Sequence, residues 1–315
     1  MTVRKKIVCL GGGRGTSSLL QGLKPFNPQL SVITSMADDG GSSGRLRKSY
    51  NMMPPGDIVS CIAALMENRE LAALVTHRFP GMHKTAKEIS GHKLGNLMLL
   101  AELQRTGDFY KALEAIKKIF GVKADILPAT DERTRLSAFT LDGRRLHSET
   151  TMDLALYAEP HGIKSIYITP KNPQVNSLVI KNILEADVII SGPGDLYTNQ
   201  LPVLIIPKIK DALLASKAKK LFVLNIANKP FETKGYTLQS FIRAFEDHVG
   251  TFPFDMVFAN NNTVPKIPKK YRYDYIAIDT SSTQNVTLIE EDLVNIDFPL
   301  YHDAAKLGKT ITKYI

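Results

Sequence analysis

An apolar strand that runs straight into a cluster of glycines, and then into an apolar segment of helical period, leaves a chain few folds to choose from. Lys6 to Leu10 read as such a strand, Gly11-Gly12-Gly13-Arg14-Gly15-Thr16-Ser17 follow at once, and Leu19, Leu20 and Leu23 suit a short helix. Strand, glycine turn and helix are the opening unit of a nucleotide-binding α/β fold, in which the helix N-terminus faces phosphate. The dinucleotide fingerprint is matched incompletely, because its third glycine falls on Thr16 when counted from Gly11 and on Ser18 when counted from Gly13. No Gly-Lys-Ser/Thr is present, which excludes a Walker phosphate loop. Gly11, Gly12, Gly13, Gly15 and Thr16 are candidate ligand contacts.

A second strand, Leu30 to Thr34, leads into Asp38-Asp39-Gly40-Gly41-Ser42-Ser43-Gly44-Arg45-Leu46-Arg47. The glycines let successive N–H groups form an anion nest, and Arg45 and Arg47 could pair with phosphate oxygens. Asp38 and Asp39 lie about where a ribose-binding carboxylate would, and could equally hold Mg2+ or orient a nucleophile. A polar surface loop of Gly and Ser is the plainer alternative. From this stretch Asp38, Asp39, Gly40, Gly41, Ser42, Ser43 and Arg45 join the candidates.

Pro54-Pro55-Gly56-Asp57 then starts a helix whose Ile58, Cys61, Ile62, Leu65 and Met66 are core, with Asp57 either its N-cap or a ligand contact. Gly91-His92-Lys93-Leu94-Gly95-Asn96 precedes an apolar helix, so His92 and Asn96 lie at a second anion-facing helix start or at a capped core helix. His77, His83 and His92 match no zinc spacing. Asp108 caps a further helix that ends at Gly121. Residues 50 to 121 are thus a helical segment. From 122 to 160 a small β element is expected, with Asp142-Gly143 as its hairpin turn.

After that the α/β rhythm returns: strands Ser165 to Thr169, Val188 to Ser191, Leu221 to Ile226 and Met256 to Ala259, with helices Asn176 to Ala186 and Leu238 to Phe245. Ser191-Gly192-Pro193-Gly194-Asp195-Leu196-Tyr197-Thr198 lies at a strand's C-terminal end, where open parallel sheets bind ligands. Gly192, Gly194, Asp195, Tyr197 and, from the next strand end, Asn225 complete a polar rim. Tyr271, Tyr273 and Tyr275 alternate as on one strand face, and either stack a base or pack an edge strand. The fold class is α/β, a Rossmann-like three-layer core with a parallel sheet, read as one domain over residues 1–315.

The chain has 315 residues and a net charge of +9, which suits phosphorylated small molecules, an anionic surface or nucleic acid. Its basic residues are dispersed and carry no nucleic-acid-binding signature, which argues against the last. No apolar run approaches the ~18 residues of a membrane span, and the run behind Arg4, Lys5 and Lys6 is too short for a signal peptide. Cys9 and Cys61 suit buried thiols in a reducing compartment, so the cytoplasm is expected.

Taken together and in order, Gly11 to Ser17, Asp38 to Arg47, Pro54 to Asp57, Gly91 to Asn96 and Gly192 to Thr198 resemble the YvcK/CofD-like family, most closely its gluconeogenesis-factor (YvcK) branch. The resemblance covers almost the whole chain. It implies a protein that binds a UDP-sugar, UDP-N-acetylglucosamine, and regulates growth on gluconeogenic carbon, cell shape and envelope synthesis, with no accepted reaction. The CofD branch implies the alternative, an Mg2+-dependent transfer of a phospholactate group from a nucleotide diphosphate donor, with Asp38, Asp39 and Asp195 as metal ligands. A third reading, an NAD(P)-binding protein, rests on the first strand-turn-helix unit. No cofactor other than Mg2+ is implied, and a homo-oligomer is compatible with the sequence. Tyr271 resembles the family's aromatic position near the sugar nucleotide. The chain departs from the branch at Tyr301-His302-Asp303, where the branch tends to carry Arg-His-Asp.

Overall fold

The computed structural model describes residues 4–80, 89–153, 162–279 and 286–315. His83 and the last residues of the expected small β element lie outside them. β1 (Lys6–Leu10), α1 (Gly13–Leu23) and β2 (Gln29–Thr34) form the opening unit as the sequence predicts, with Leu19, Leu20 and Leu23 buried on one face of α1. Then come α2 (Gly41–Tyr50), α3 (Gly56–Leu65), α4 (Arg69–Thr76), α5 (Leu94–Thr106) and α6 (Phe109–Ile119), before β3 (Asp125–Pro128). Next are β4 (Arg135–Thr140), β5 (Arg145–Leu146), α7 (Glu149–Asp153), β6 (Ile163–Thr169), α8 (Ser177–Glu185) and β7 (Val188–Ser191). A π-helical turn, Leu196–Gln200, leads into α9 (Leu201–Leu204), α10 (Pro207–Ala215) and β8 (Lys219–Val223). The chain closes with β9 (Ala227–Asn228), α11 (Leu238–Val249), β10 (Met256–Asn260), β11 (Asp274–Tyr275), β12 (Thr287–Glu291) and α12 (Ala304–Thr312).

Among the described residues, seven strands form one sheet in the order β12-β10-β8-β7-β1-β2-β3, and every pairing in it is parallel. Successive side chains of a strand point to opposite faces, so a strand covered on both sides reads as a continuous apolar run. β1 shows this directly. Ile7 and Cys9 join a core with residues of α1, α3, α5, α6 and α12, whereas Val8 and Leu10 join a second core with α8, α9, α10 and α11. The result is the three-layer, Rossmann-like α/β architecture that the strand and helix rhythm predicts. Among the described residues no helix is long and apolar enough to cross a membrane.

Three local expectations are corrected. Asp125–Pro128, expected in the small β element, is the edge of the main sheet beside β2, because Ile126 and Leu127 supply one apolar residue to each core. Ser165–Thr169, expected in the main sheet, instead pairs antiparallel with β4 in a separate sheet of order β5-β4-β6. Its buried Ile163, Ile166 and Ile168 are interrupted by exposed or half-buried neighbours, the pattern of a strand covered on one face only. The Asp38–Arg47 stretch is a loop only as far as Gly40, and from Gly41 it is helix α2 with Leu46 and Arg47 buried.

Candidate functional site

β1 lies between β2 and β7, so successive connections leave it in opposite directions, and a crevice opens at the C-terminal strand ends where they part. Two glycine turns meet there. Gly15 passes so close to the 193–194 backbone that a Cβ would collide with the Pro193 carbonyl, which glycine alone avoids. Between the turns and the end of β8 is a cavity of about 170 Å3, lined by Gly12, Gly13, Arg14, Gly15, Gly194, Asp195, Asn225, Lys229, Tyr273 and Tyr301 among others.

Several of the glycine N–H groups are already engaged. Gly12 donates to Asn199 Oδ1 at 2.7 Å, and Gly194 donates to Asn225 Oδ1 at 2.9 Å. The Gly13 N–H serves the Asp57 carboxylate, to which Asn199 Nδ2 also donates at 3.3 Å. Asp57 is therefore not the N-cap of its own helix, a position that Pro55 takes. It sits in the first turn of α3 and faces the start of α1, where the helix dipole favours an anion. Burial, aided by the nearby Asp38 charge, pushes its pKa up to about 7. Gly11 N is used in the sheet, donating to the Ile33 carbonyl at 3.0 Å, and Thr16 is buried in α1.

The Asp38–Arg47 stretch divides into structural and outward-facing parts. Ser42 Oγ pairs with His92 Nδ1 at 2.7 Å and accepts from Asn96 Nδ2 at 2.9 Å, so Ser42, His92 and Asn96 form a buried lock between α2 and the start of α5. Burial holds the His92 pKa below its ordinary value, helped by Arg45 and Arg78. Arg47 ties α2 to the chain before it and to the residue preceding β4 through the carbonyls of Asp38 at 2.9 Å and Thr134 at 2.6 Å. Arg45 donates to the Ser90 carbonyl, and Ser43 bonds Asp38. Gly41 is exposed with nothing packed against it and does not reach the cavity.

Asp38 Oδ1 accepts from Gly40 N at 3.0 Å, and Asp39 Oδ1 accepts from the N–H and hydroxyl of Thr150 at 2.9 and 2.8 Å. Both carboxylates lie near Glu149, whose pKa burial and the charges of Asp38, Asp153 and Asp39 push up to about 9. Asp195 belongs to a different cluster, the ion pairs of Lys229. That ammonium is held by Asp153, by Asp195 at 2.7 Å and by Glu232 at 3.4 Å. Burial works against its charge, but Asp195, Glu232 and Asp153 outweigh it and hold the Lys229 pKa above its ordinary value. Asp38, Asp39 and Asp195 do not fit one shared Mg2+: Asp195 is ion-paired, and among the described residues no trio of His, Cys, Asp or Glu is arranged to hold a metal.

Two aromatic candidates also fall elsewhere. Tyr197 is buried against Tyr236 and His248 in the α11 layer, while its N–H and that of Thr198 donate to Glu232 Oε1 at 2.5 and 3.2 Å. Tyr271 lies in a 3-10 turn against Phe298, and the left-handed Arg272 breaks the alternation expected of Tyr271, Tyr273 and Tyr275. Tyr273 is the tyrosine of the three that lines the cavity. Gly192 lies under the Val223 carbonyl as part of the turn's frame. Sequence reasoning overlooked Asn199, one residue past the recognised loop, and Lys229, one past the asparagine-rich end of β8. A polar residue directly after a recognised polar strand-end loop was the available signal for both.

The family model described as 2-phospho-L-lactate transferase CofD matches residues 7–298. The chain is 38% identical over 276 residues to the Gluconeogenesis factor of Bacillus subtilis, covering 87% of this chain and 84% of that one. A longer Nostoc sp. relative is 40% identical over 269 residues, which are 85% of this chain but 57% of its own length, so the chain spans little more than half of that protein. The crystal structure of protein BH3568 from Bacillus halodurans superposes with a TM-score of 0.90 at 34% identity, over 98% of this chain and 99% of that one. The chain thus belongs to the YvcK/CofD-like family, in its gluconeogenesis-factor branch.

Proposed function

We propose that the chain binds a nucleotide-diphosphate-linked sugar of the UDP-N-acetylglucosamine class at the β1–β7 crevice. Through that ligand it regulates growth on gluconeogenic carbon, cell shape and envelope synthesis. The carrying observation is the meeting of two glycine turns at the switch point of a parallel sheet, around a cavity with both cationic and hydrogen-bonding walls. Its volume of about 170 Å3 is below the ~300–1,000 Å3 usual for small-molecule pockets, so it takes one part of an extended ligand. Lys229 is surrounded by carboxylates, so the Asp195 and Asn225 side suits hydroxyl or amide groups rather than phosphate. The family branch supports the regulatory role. Isothermal calorimetry of the folded chain against UDP-N-acetylglucosamine, UDP and NAD tests the ligand: heat with the first two and none with NAD is expected. No heat with any of the three rejects it.

A second reading, transfer of a phospholactate-type group from a nucleotide diphosphate donor, is favoured by the family model's match across residues 7–298. Release of a new product from such a donor by the folded chain is its signature. Recovery of the donor unchanged after long incubation counts against it.

A further inference from the structure

Two cations line the cavity beside the glycine turns, and they differ in one respect. Lys229 is bound by Asp153, Asp195 and Glu232, so its charge is spent within the protein. Arg14, on the first turn of α1, is exposed, and among the described residues it makes no ion pair. One of its N–H groups donates from Nη1 to the Tyr301 hydroxyl at 2.9 Å, and the guanidinium lies over the Tyr301 ring, its carbon 4.9 Å from the centroid. The opposite end of this contact is built up in layers. Tyr301 stacks on Phe298 at 5.4 Å with 8° between the planes, Phe298 meets Tyr271 edge to face at 5.8 Å, and Lys270 Nζ sits 5.0 Å from the Tyr271 centroid.

We propose that Arg14 is the cavity's anion-binding residue, held in place by the Tyr301–Phe298–Tyr271 aromatic ladder, and that it selects ligands carrying a diphosphate. The engaged backbone of the two turns gives the reason. Gly12, Gly13 and Gly194 spend their N–H groups on Asn199, Asp57 and Asn225, and the Asp57 carboxyl already occupies the start of α1. A phosphate entering here therefore needs a side-chain cation. A guanidinium that has given one N–H to Tyr301 keeps four, enough for bidentate pairing with phosphate oxygens. Stacking on a fixed ring reduces the freedom that an exposed arginine would otherwise lose on binding. Tyr301 and Phe298 are positioning residues: they touch Arg14 or each other and hold its plane toward the cavity.

The ligand's identity rests on the nucleotide-sugar reading, and the test separates the two claims. Calorimetry is run on the full chain with inorganic pyrophosphate and, separately, with UDP-N-acetylglucosamine. The variants are Arg14→Ala, Tyr301→Phe and Tyr301→Ala, each checked for unchanged circular dichroism and melting. Arg14→Ala is expected to weaken both ligands by at least ~10-fold, the scale of a charge-assisted bidentate contact. Tyr301→Phe, which keeps the ring, loses no more than ~3-fold, while Tyr301→Ala approaches the Arg14→Ala value. Pyrophosphate binding that depends on Arg14, without binding of the UDP-sugar, upholds the clamp and rejects the nucleotide-sugar reading. Binding in Arg14→Ala within about twofold of the parent overturns the clamp even if the UDP-sugar binds. Binding of neither probe by the parent overturns both.

Discussion

At the start of α1 the chain supplies its own carboxyl group. Asp57 occupies the place where a glycine turn would otherwise hold phosphate, and its carboxyl is pushed from 3.8 up to about 7 by burial and the neighbouring Asp38. The folded protein thus holds a proton there that the unfolded chain releases at lower pH. Its stabilising contribution is complete below 3.8 and is lost as pH rises toward 7. Asp57→Asn cannot ionise. Relative to the parent, its melting temperature should therefore rise as pH is raised across that window, and a constant difference would show that Asp57 does not titrate there. Lys229 makes the opposite case, a buried cation that three carboxylates need. Lys229→Met leaves the buried Glu232 without its partner and should cost about 3–5 kcal/mol in urea unfolding, part of it recovered in Lys229→Met/Glu232→Gln. Neither role was legible in the sequence. Asp57 has the residue type and spacing of an N-cap, and only the tertiary approach of α3 to α1 turns it toward Gly13. Lys229 finds Asp153 and Asp195 from distant parts of the chain, contacts that no local spacing encodes.

The elements were more legible than the contacts between them. Apolar period and glycine punctuation placed β1, α1, β2, α3, α6, β7, α11 and β10, because each is long or strongly patterned enough for local chemistry to decide it. β3 and β6 exchanged sheets because short apolar runs of similar composition fit either a covered or a half-covered strand. One contact between elements bears on the cavity. α1 and α12 cross with Gly22 against Gly308, so close that a Cβ on either would strike the other helix's backbone. α12 follows directly from Tyr301-His302-Asp303, is capped by Asp303 accepting from Lys306 N at 2.9 Å, and is tied to α1 where Ser18 donates to the His302 carbonyl at 3.3 Å. Gly308→Ala should force the helices apart, costing about 1–3 kcal/mol of stability, and, if the proposed Arg14 clamp holds, should weaken pyrophosphate binding by shifting Tyr301. A variant that melts lower yet binds as tightly as the parent would show that the helix crossing and the aromatic ladder are uncoupled.

For the whole molecule, the decisive feature is that β1 takes its two neighbours from widely separated parts of the chain. β2 is its near neighbour in sequence, whereas β7 begins at Val188, and Gly12 meets Asn199 across 187 positions. The five helices described between β2 and β3 and the small antiparallel sheet both lie within that interval. A chain emerging from the ribosome would complete β1, α1 and β2 early and then wait for about half its length before the second wall of the crevice could arrive. Until then one edge of β1 has no strand to pair with, and contacts of such high sequence separation are the slow ones to close. Ligand competence should therefore be among the last properties a nascent copy acquires, and a product that stops before residue 199 is left with half a pocket and an open strand.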